Sequence, residues 1–321
     1  MQVIRGIDSA QFAGVVLTIG NFDGVHRGHQ TILETARERA NRIGTRLVVM
    51  TFDPHPSAVL KPEHAPEVIT PLPEKLRCME AAGVDVVVLV HATPDFLSIT
   101  CEDFIQRIIL ARFAPVAMVE GVSFGFGRRR QGDVNTLRDA AAKSGFELEV
   151  VEPISVALGG HTDTIISSSV IRHLLACGTV GQAAMCLGRP YRLFGQVVKG
   201  AERGRKMGVP TANLRVESQL IPAEGVYAGR AELDGRCVPA AISIGRTPTF
   251  ETHQLLVEAH FPGFEGDLYG AHIFIDFLAW LRRQERFDSA EVLYRQIEKD
   301  ISEVRDVLAV YPNHPKLNVI G

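Results

Sequence analysis

Gly20-Asn21-Phe22-Asp23-Gly24-Val25-His26-Arg27-Gly28-His29 is the stretch that decides the fold. The residues before it, 15–19, form an apolar run that reads as a buried strand, and residues 30–41 after it read as a helix. A glycine-rich turn with two histidines therefore sits where a strand hands over to a helix. Helix N-termini carry unpaired N–H donors and a partial positive charge, so such turns bind phosphates in α/β proteins.

Working outward, strand patterns at 15–19, 46–52, 84–90, 116–119 and 147–151 alternate with helical patterns near 30–41, 73–82, 101–112 and 133–144. That alternation predicts a parallel sheet with crossover helices, and ligands then gather at the carboxyl ends of its strands. Three polar segments stand at such ends: the opening turn, Asp53-Pro54-His55-Pro56, and Gly121-Val122-Ser123-Phe124-Gly125-Phe126-Gly127. Helical patterns near 168–177 and 179–186 follow, and Gly188-Arg189-Pro190 breaks them. The domain boundary is placed there, giving domains 1–187 and 188–321. Beyond it, strand patterns at 192–198, 225–233, 237–244, 255–261 and 271–277 are separated by turn residues alone, which predicts a small antiparallel barrel. A last helix over 288–309 carries Val292, Ile297, Ile301, Val304 and Leu308 near helical spacing, to pack on that barrel.

A chain of 321 residues is long for one core, which agrees with two domains. Its net charge of −3 gives no general electrostatic case for nucleic acid or membrane partners. Cys78, Cys101, Cys177, Cys186 and Cys237 are scattered, odd in number and free of any CxxC, the pattern of reduced, mostly buried thiols in a cytoplasmic protein. Met1-Gln2-Val3-Ile4-Arg5-Gly6 has no signal-peptide layout, and the apolar run 86–90 is far too short to span a membrane.

His26 and His29, three residues apart, share a face of a helical first turn. Adenylyl transfer needs donors that stabilise charge on an α-phosphate as pyrophosphate leaves, and two imidazoles with helix N–H groups supply them. Gly24 and Gly28 would let a nucleotide approach the backbone, and Asn21 adds an amide. Two other readings stand beside this one. The histidines could be incidental to a surface loop, or they could bind zinc, although HxxH lacks the glutamate of HExxH and no third ligand is evident. Ser167 and Ser168, opening the next helical pattern, are by themselves a good N-cap.

Gly20–His29 resembles the HxGH signature of the nucleotidyltransferases. Its longer form GNFDGVHRGH resembles one branch, the bacterial bifunctional riboflavin kinase/FMN adenylyltransferases (FAD synthetases). Thr51-Phe52-Asp53-Pro54-His55-Pro56 and Ile166-Ser167-Ser168-Ser169-Val170-Ile171-Arg172 match the same branch. The resemblance implies catalysis by His26 and His29. It implies nucleotide contacts at Gly20, Asn21, Phe22, His55, Gly121, Ser123, Ser167, Ser168 and Arg172, the last three on the triphosphate. The family usually has Asp or Asn where this chain has Ser123, which keeps a hydroxyl but loses charge and reach. The following Arg128-Arg129-Arg130 is either a solvated loop or a neighbour of phosphates.

Residues 200–213, GAERGRKMGVPTAN, are glycine-rich and basic but do not fit a Walker A loop, and alone suggest a mobile phosphate-binding loop. Gly208-Val209-Pro210-Thr211-Ala212-Asn213 resembles the PTAN motif of riboflavin kinases. This implies that Thr211 and Asn213 help hold Mg²⁺, with nucleotide contacts at Gly204, Lys206, Gly208 and Pro210. Gly225-Val226-Tyr227-Ala228 and Asp267-Leu268-Tyr269-Gly270 match further family segments, and Glu258 falls at the general base. Out of that context Glu258 would be a polar strand residue facing water. The family's Gly-x-Arg-Pro-Thr reads Gly245-Arg246-Thr247-Pro248-Thr249 here, and a one-residue move on a strand reverses a side chain. Gly263 also stands where the family often has Asp.

The resemblance thus implies an N-terminal Rossmann-like nucleotidyltransferase domain and a C-terminal β-barrel kinase domain with a terminal helix. Together they would convert riboflavin to FMN and FMN to FAD with ATP and Mg²⁺. With the cysteine pattern and net charge, the expectation is a cytoplasmic monomer or weak homo-oligomer with no nucleic-acid or membrane partner. The alternatives are a member with one site impaired, a flavin-binding regulator without turnover, and a transferase acting on another phosphorylated acceptor.

Overall fold

A computed structural model describes residues 1–200, 209–246 and 255–311. They fall into two compact units, Met1–Ile166 and a second beginning at Ser167.

In the first unit the strands are β1 (Gln2–Arg5), β2 (Val16–Ile19), β3 (Leu47–Phe52), β4 (Val86–Val90), β5 (Ala117–Gly121), β6 (Gly125–Phe126), β7 (Gly132–Asp133), β8 (Glu147–Val151), β9 (Ser155–Leu158) and β10 (His161–Ile165). Six of them form one sheet in the order β1-β4-β3-β2-β5-β8, and every pairing in it is parallel. The helices are α1 (Arg27–Ile43), α2 (Pro56–Leu60), α3 (Leu72–Ala81), α4 (Pro94–Leu97), α5 (Cys101–Asp103) and α6 (Val134–Ser144). The central strands are Val-, Leu- and Ile-rich because both faces are covered. On one face Leu33, Ala36 and Ala40 of α1 pack with Val16, Val49, Val87 and Val119. On the other, Ile105, Ile108, Ile109 and Phe113 pack with Leu17, Val48, Val88 and Met118.

The expected parallel sheet is present, with two additions. Strand β1 was not anticipated, because its Gln-Val-Ile-Arg is short and lies on an exposed edge. The helix expected over 101–112 is α5 continued by a π-type helix, Phe104–Phe113. Chain order leads from β2 outward to β3 and β4 on one side and to β5 and β8 on the other, so the switch point lies between β2 and β5.

In the second unit, α7 (Ser168–Ala176) and α8 (Val180–Leu187) precede β11 (Tyr191–Val198), β12 (Thr211–Arg215), β13 (Gly225–Leu233), β14 (Arg236–Arg246), β15 (Leu255–His260) and β16 (His272–Arg282), and α9 (Ala290–Val310) ends the described residues apart from Tyr311. The six strands close into a barrel, β11-β12-β15-β14-β13-β16, every pairing antiparallel. Its interior holds Leu193, Tyr227, Ile242, Ile244, Val257, Ala259, Ile275 and Phe277, all at most 1% exposed. Strand β12 begins inside the segment 200–213 that the sequence suggested to be a loop. The same sequence pattern drew α7 and α8 into domain 1–187, whereas by contacts they fall in the second unit, α8 lying against β11 and β16.

Helix α9 packs on β13, β14 and β16 as expected, but not along its whole apolar stripe. Val304 is buried, while Val292 is 50% exposed. The helix is also fastened by a polar tie: buried Asp300 accepts from Arg282 Nε at 2.9 Å and Nη2 at 2.8 Å. The five cysteines are free thiols, but only Cys78 and Cys186 are buried. Cys177 caps the end of α7 and Cys237 lies near the β13–β14 turn, and both are exposed.

Candidate functional site

The turn from β2 to α1 is tight. Phe22 (φ 49°), Gly24 (φ 91°) and Val25 (φ 39°) all sit in the left-handed region, where only glycine is at ease. Ties on every side hold this strained path. Gly20 N–H donates to Met50 O at 3.1 Å, Val25 N–H to Phe22 O at 3.1 Å, and Gln30 Nε2 to Val25 O at 2.8 Å. Lys75 Nζ (3.0 Å) and Thr51 Oγ1 (3.3 Å) both donate to Asn21 O. Burial pulls the Lys75 ammonium's pKa down, and Asp23 and Asp53 oppose that by favouring its charge. The Asp23 carboxylate accepts the N–H groups of Ile69 (2.9 Å) and Thr70 (3.1 Å). Phe22 as a residue is only 2% exposed and belongs to the core.

His26 is the N-cap of α1, and its Nδ1 accepts the His29 N–H at 3.3 Å. With Nδ1 accepting, the neutral ring carries its proton on Nε2, a donor suited to a phosphate oxygen. The two imidazoles stack with centroids 3.6 Å apart and planes 17° apart, and Phe22 meets His29 edge-on at 5.2 Å. A Cβ at Gly28 would lie 3.3 Å from the His26 ring. The sequence assigned Gly28 to close nucleotide approach; here its bareness makes room for a histidine.

Other segments stand at the same carboxyl edge. His55 caps α2, its Nδ1 accepting Ser57 N–H at 3.2 Å. After β5, the exposed Ser123 uses its carbonyl to accept Arg130 Nη2 at 2.7 Å, and a Cβ at Gly125 would come 2.8 Å from Arg130 Nε. Arg130 thus folds onto the loop that begins at Gly121, and the residue at 123 is held through its carbonyl. One residue escaped the sequence reading. Glu120 is 2% exposed and accepts Ile19 N–H at 2.8 Å, and burial raises its carboxyl well above the usual range. Its signal was a single acid in the apolar run Ala117-Met118-Val119.

Ser167 caps α7, its Oγ accepting Val170 N–H at 3.3 Å. Ser168 opens that helix and Arg172 lies one turn in. All three belong to the second compact unit.

On the barrel, register assembles what sequence separates. Asn213 pairs with Glu258 across β12 and β15, Thr211 with His260, and Ser243 with Glu258 across β14 and β15. Directly opposed residues share a face, and alternate residues return to it. Thr211, Asn213, Ser243, Glu258 and His260 therefore share one face, while Leu214, Ile242, Val257 and Ala259 fill the interior. Asn213 is 6% exposed, and a Cβ at Gly200 would collide with its amide. His260 Nδ1–H donates to Pro210 O at 2.8 Å, fixing the residue before Thr211. Gln284 Nε2 donates to Ser243 Oγ at 2.8 Å.

Arg246 falls in the other phase from Ser243 and pairs with Glu224 at 2.6 Å, so it does not join the Glu258 face. Gly263 sits at φ 79°, a conformation glycine adopts readily. Gly204, Lys206, Gly208 and residues 247–249 lie outside the described residues. Among the described residues no group of three or more His, Cys, Asp or Glu could hold a metal ion, and no helix is long and apolar enough to cross a membrane.

The FAD synthetase family model matches residues 8–169 and the riboflavin kinase model residues 187–308. A Haemophilus influenzae protein named bifunctional riboflavin kinase/FMN adenylyltransferase is 34% identical over 95% of this chain and 98% of its own. The Bacillus subtilis protein of that name is 37% identical over 90% of each chain. A Streptococcus pneumoniae crystal structure described as a macrolide-efflux protein has a TM-score of 0.85 at 28% identity, covering 95% of this chain and 99% of that one.

Proposed function

The chain belongs to the bifunctional riboflavin kinase/FMN adenylyltransferase family, and from that premise we propose how its residues divide two successive reactions. It is a transferase that phosphorylates riboflavin with ATP to FMN and ADP, then adenylylates FMN with a second ATP to FAD and pyrophosphate. The kinase step belongs to the barrel domain, 188–321, and the adenylyl step to domain 1–187.

In the kinase step Glu258 accepts the proton of the ribityl 5′-hydroxyl as its oxygen bonds to the γ-phosphorus and the bond to ADP breaks. Thr211 and Asn213 offer hard oxygen donors on the same face as Glu258, a set that fits Mg²⁺. The ion would offset phosphate charge there. Pro210, and Gly204, Lys206 and Gly208 before it, follow the ATP phosphates.

In the adenylyl step an FMN phosphate oxygen attacks the α-phosphorus of ATP and the bond to pyrophosphate breaks, with no covalent enzyme intermediate. His26 Nε2–H and His29 donate to the oxygens that gain charge. Gly20, Asn21 and Phe22, with His55, Gly121 and Ser123, cradle the nucleotide, and Ser167, Ser168 and Arg172 serve its phosphates. Asp23 Oδ1 is tied to the backbone amides of Ile69 and Thr70, and Mg²⁺ arriving with ATP would offset phosphate charge in this step. Five free thiols favour a cytoplasmic setting, and we retain a monomer or weak homo-oligomer without nucleic-acid or membrane partners.

One observation carries the bifunctional reading over a single-activity one. Both residue sets are in place at once, the histidines stacked at the first site and Thr211, Asn213 and Glu258 on one face at the second. The test is to incubate the protein with riboflavin, ATP and Mg²⁺ and separate the flavins over time. FMN should appear first and FAD should follow. FMN that never becomes FAD would sink the adenylyl assignment, and conversion of supplied FMN without conversion of riboflavin would sink the kinase assignment.

A further inference from the structure

At the switch point the carboxyl ends of β2 and β5 part. Strand β2 pairs with β3 as far as Ile19 and Met50, but with β5 only at Val16–Ala117 and Leu17–Met118. Strand β5 goes on pairing with β8 as far as Gly121 and Val151. The Gly20 N–H points to β3, where Met50 O accepts it. Alternation turns the Ile19 N–H to the β5 side, where the ladder has already ended. A side chain takes over there: Glu120 Oε1 accepts that N–H at 2.8 Å from a position only 2% exposed.

We propose that Glu120 is a positioning residue for FMN adenylylation, fixing Ile19 in the wedge between β2 and β5 and so setting the Gly20–His29 turn against the nucleotide. The inference rests on the adenylyl role given to the first unit. Glu120 touches no substrate; it acts through the backbone of Ile19, one residue before Gly20. The opposite flank of the turn is held by Met50 O, Thr51 and Lys75, so losing the Glu120 tie would leave the turn fastened mainly on the β3 side. Burial disfavours the charged carboxylate. An uncharged carboxyl accepts an N–H much as a carboxamide does, so glutamine should substitute and valine should not.

The test compares the full chain with Glu120→Val and Glu120→Gln, measuring both reactions on each preparation and amide hydrogen exchange over the segment containing Ile19. Misplacing reacting groups by about 1 Å costs about 100-fold, so Glu120→Val should lower kcat for FMN adenylylation by at least about 30-fold with KM for FMN little changed. Riboflavin phosphorylation should stay within about twofold, as expected for a separate site. Exchange at Ile19 should speed up in Glu120→Val, and Glu120→Gln should restore both kcat and protection. Wild-type kcat in Glu120→Val, equal damage from valine and glutamine, or equal loss of both reactions would each overturn the proposal. Should the unaltered chain make no FAD, the adenylyl reading fails by itself. Exchange still decides the anchoring: protection lost with valine and kept with glutamine upholds it, and protection unchanged with valine ends it.

Discussion

The Gly20–His29 turn keeps its shape against three positive φ angles by a set of buried polar ties, whereas the Thr211–Asn213–Glu258 face takes its shape chiefly from strand register. In the first, the proposed catalytic groups are neighbours in sequence and each is oriented by a bond to something else: His26 by the His29 N–H, the turn by Lys75 and Glu120. In the second, Asn213 and Glu258 are 45 residues apart and meet because two strands of a closed barrel pair at that rung. A site made by a strained loop should be sensitive to its supports. A site made by register should be sensitive mainly to the residues that do the chemistry.

The largest effects should therefore come from reacting groups, and each should stay within its own half. Removing a general base costs about 10²- to 10⁴-fold, so Glu258→Ala should nearly abolish FMN formation from riboflavin while FAD formation from supplied FMN continues. Removing a donor to developing phosphate charge costs about 10²- to 10³-fold, so His29→Ala should remove FAD formation by that factor and spare FMN formation. Flavin chromatography with each substrate supplied separately reads both. If either variant damaged both steps equally, the two regions would not be independent sites.

The two regions also differed in how far sequence could describe them. The first was legible because strand, glycine-rich turn and helix follow one another, and local pattern gives the parallel sheet and the two histidines at the helix start. Its supports were not legible. Lys75, Asp23 and Glu120 act through distant partners, and the one local mark among them, a single acid in the apolar strand at Glu120, does not reveal its partner. The barrel and the Glu258 position were visible, yet Thr211–Asn213 fell in a segment that reads as a loop, because Pro210 and the preceding glycines hid the start of a five-residue strand. Register between distant strands leaves no local mark, so the shared face of Asn213, Glu258 and Ser243 had to come from the fold. The reversal of Arg246 followed directly from the two-residue period and is what the strand shows.

A smaller effect should sharpen the contrast by touching a support rather than a reacting group. A Cβ at Gly28 would sit 3.3 Å from the His26 ring, closer than ordinary contact, so Gly28→Ala should push the imidazole off its stack with His29. Small misplacements of this kind cost about tenfold or more, and FAD formation should fall accordingly with FMN formation unchanged. The comparable change on the barrel, Ser243→Ala, removes a neighbour of Glu258 without shifting the strand. It should alter FMN formation by less than Gly28→Ala alters FAD formation, because the ladder still holds Glu258 opposite Asn213. The reverse ranking would show that the barrel face leans on side-chain supports as the loop does.

The smallest effect is on stability and concerns Glu120 alone. Its carboxyl is raised in the folded chain by burial, while in the unfolded chain it titrates in the ordinary glutamate range. Below that range both states hold the proton and the group adds no pH dependence. As pH rises through it, the unfolded chain gives up the proton first and is favoured, so stability falls until the folded group ionises too. Glutamine has no proton to lose, so the stability of Glu120→Gln relative to the unaltered chain should rise steadily as pH increases above that range. Urea midpoints for the adenylyl unit, followed in the full chain at several pH values, measure it. A difference that stays flat with pH would mean that the carboxyl ionises in the fold as readily as outside it, and the turn would then be held on the β5 side by a charged group.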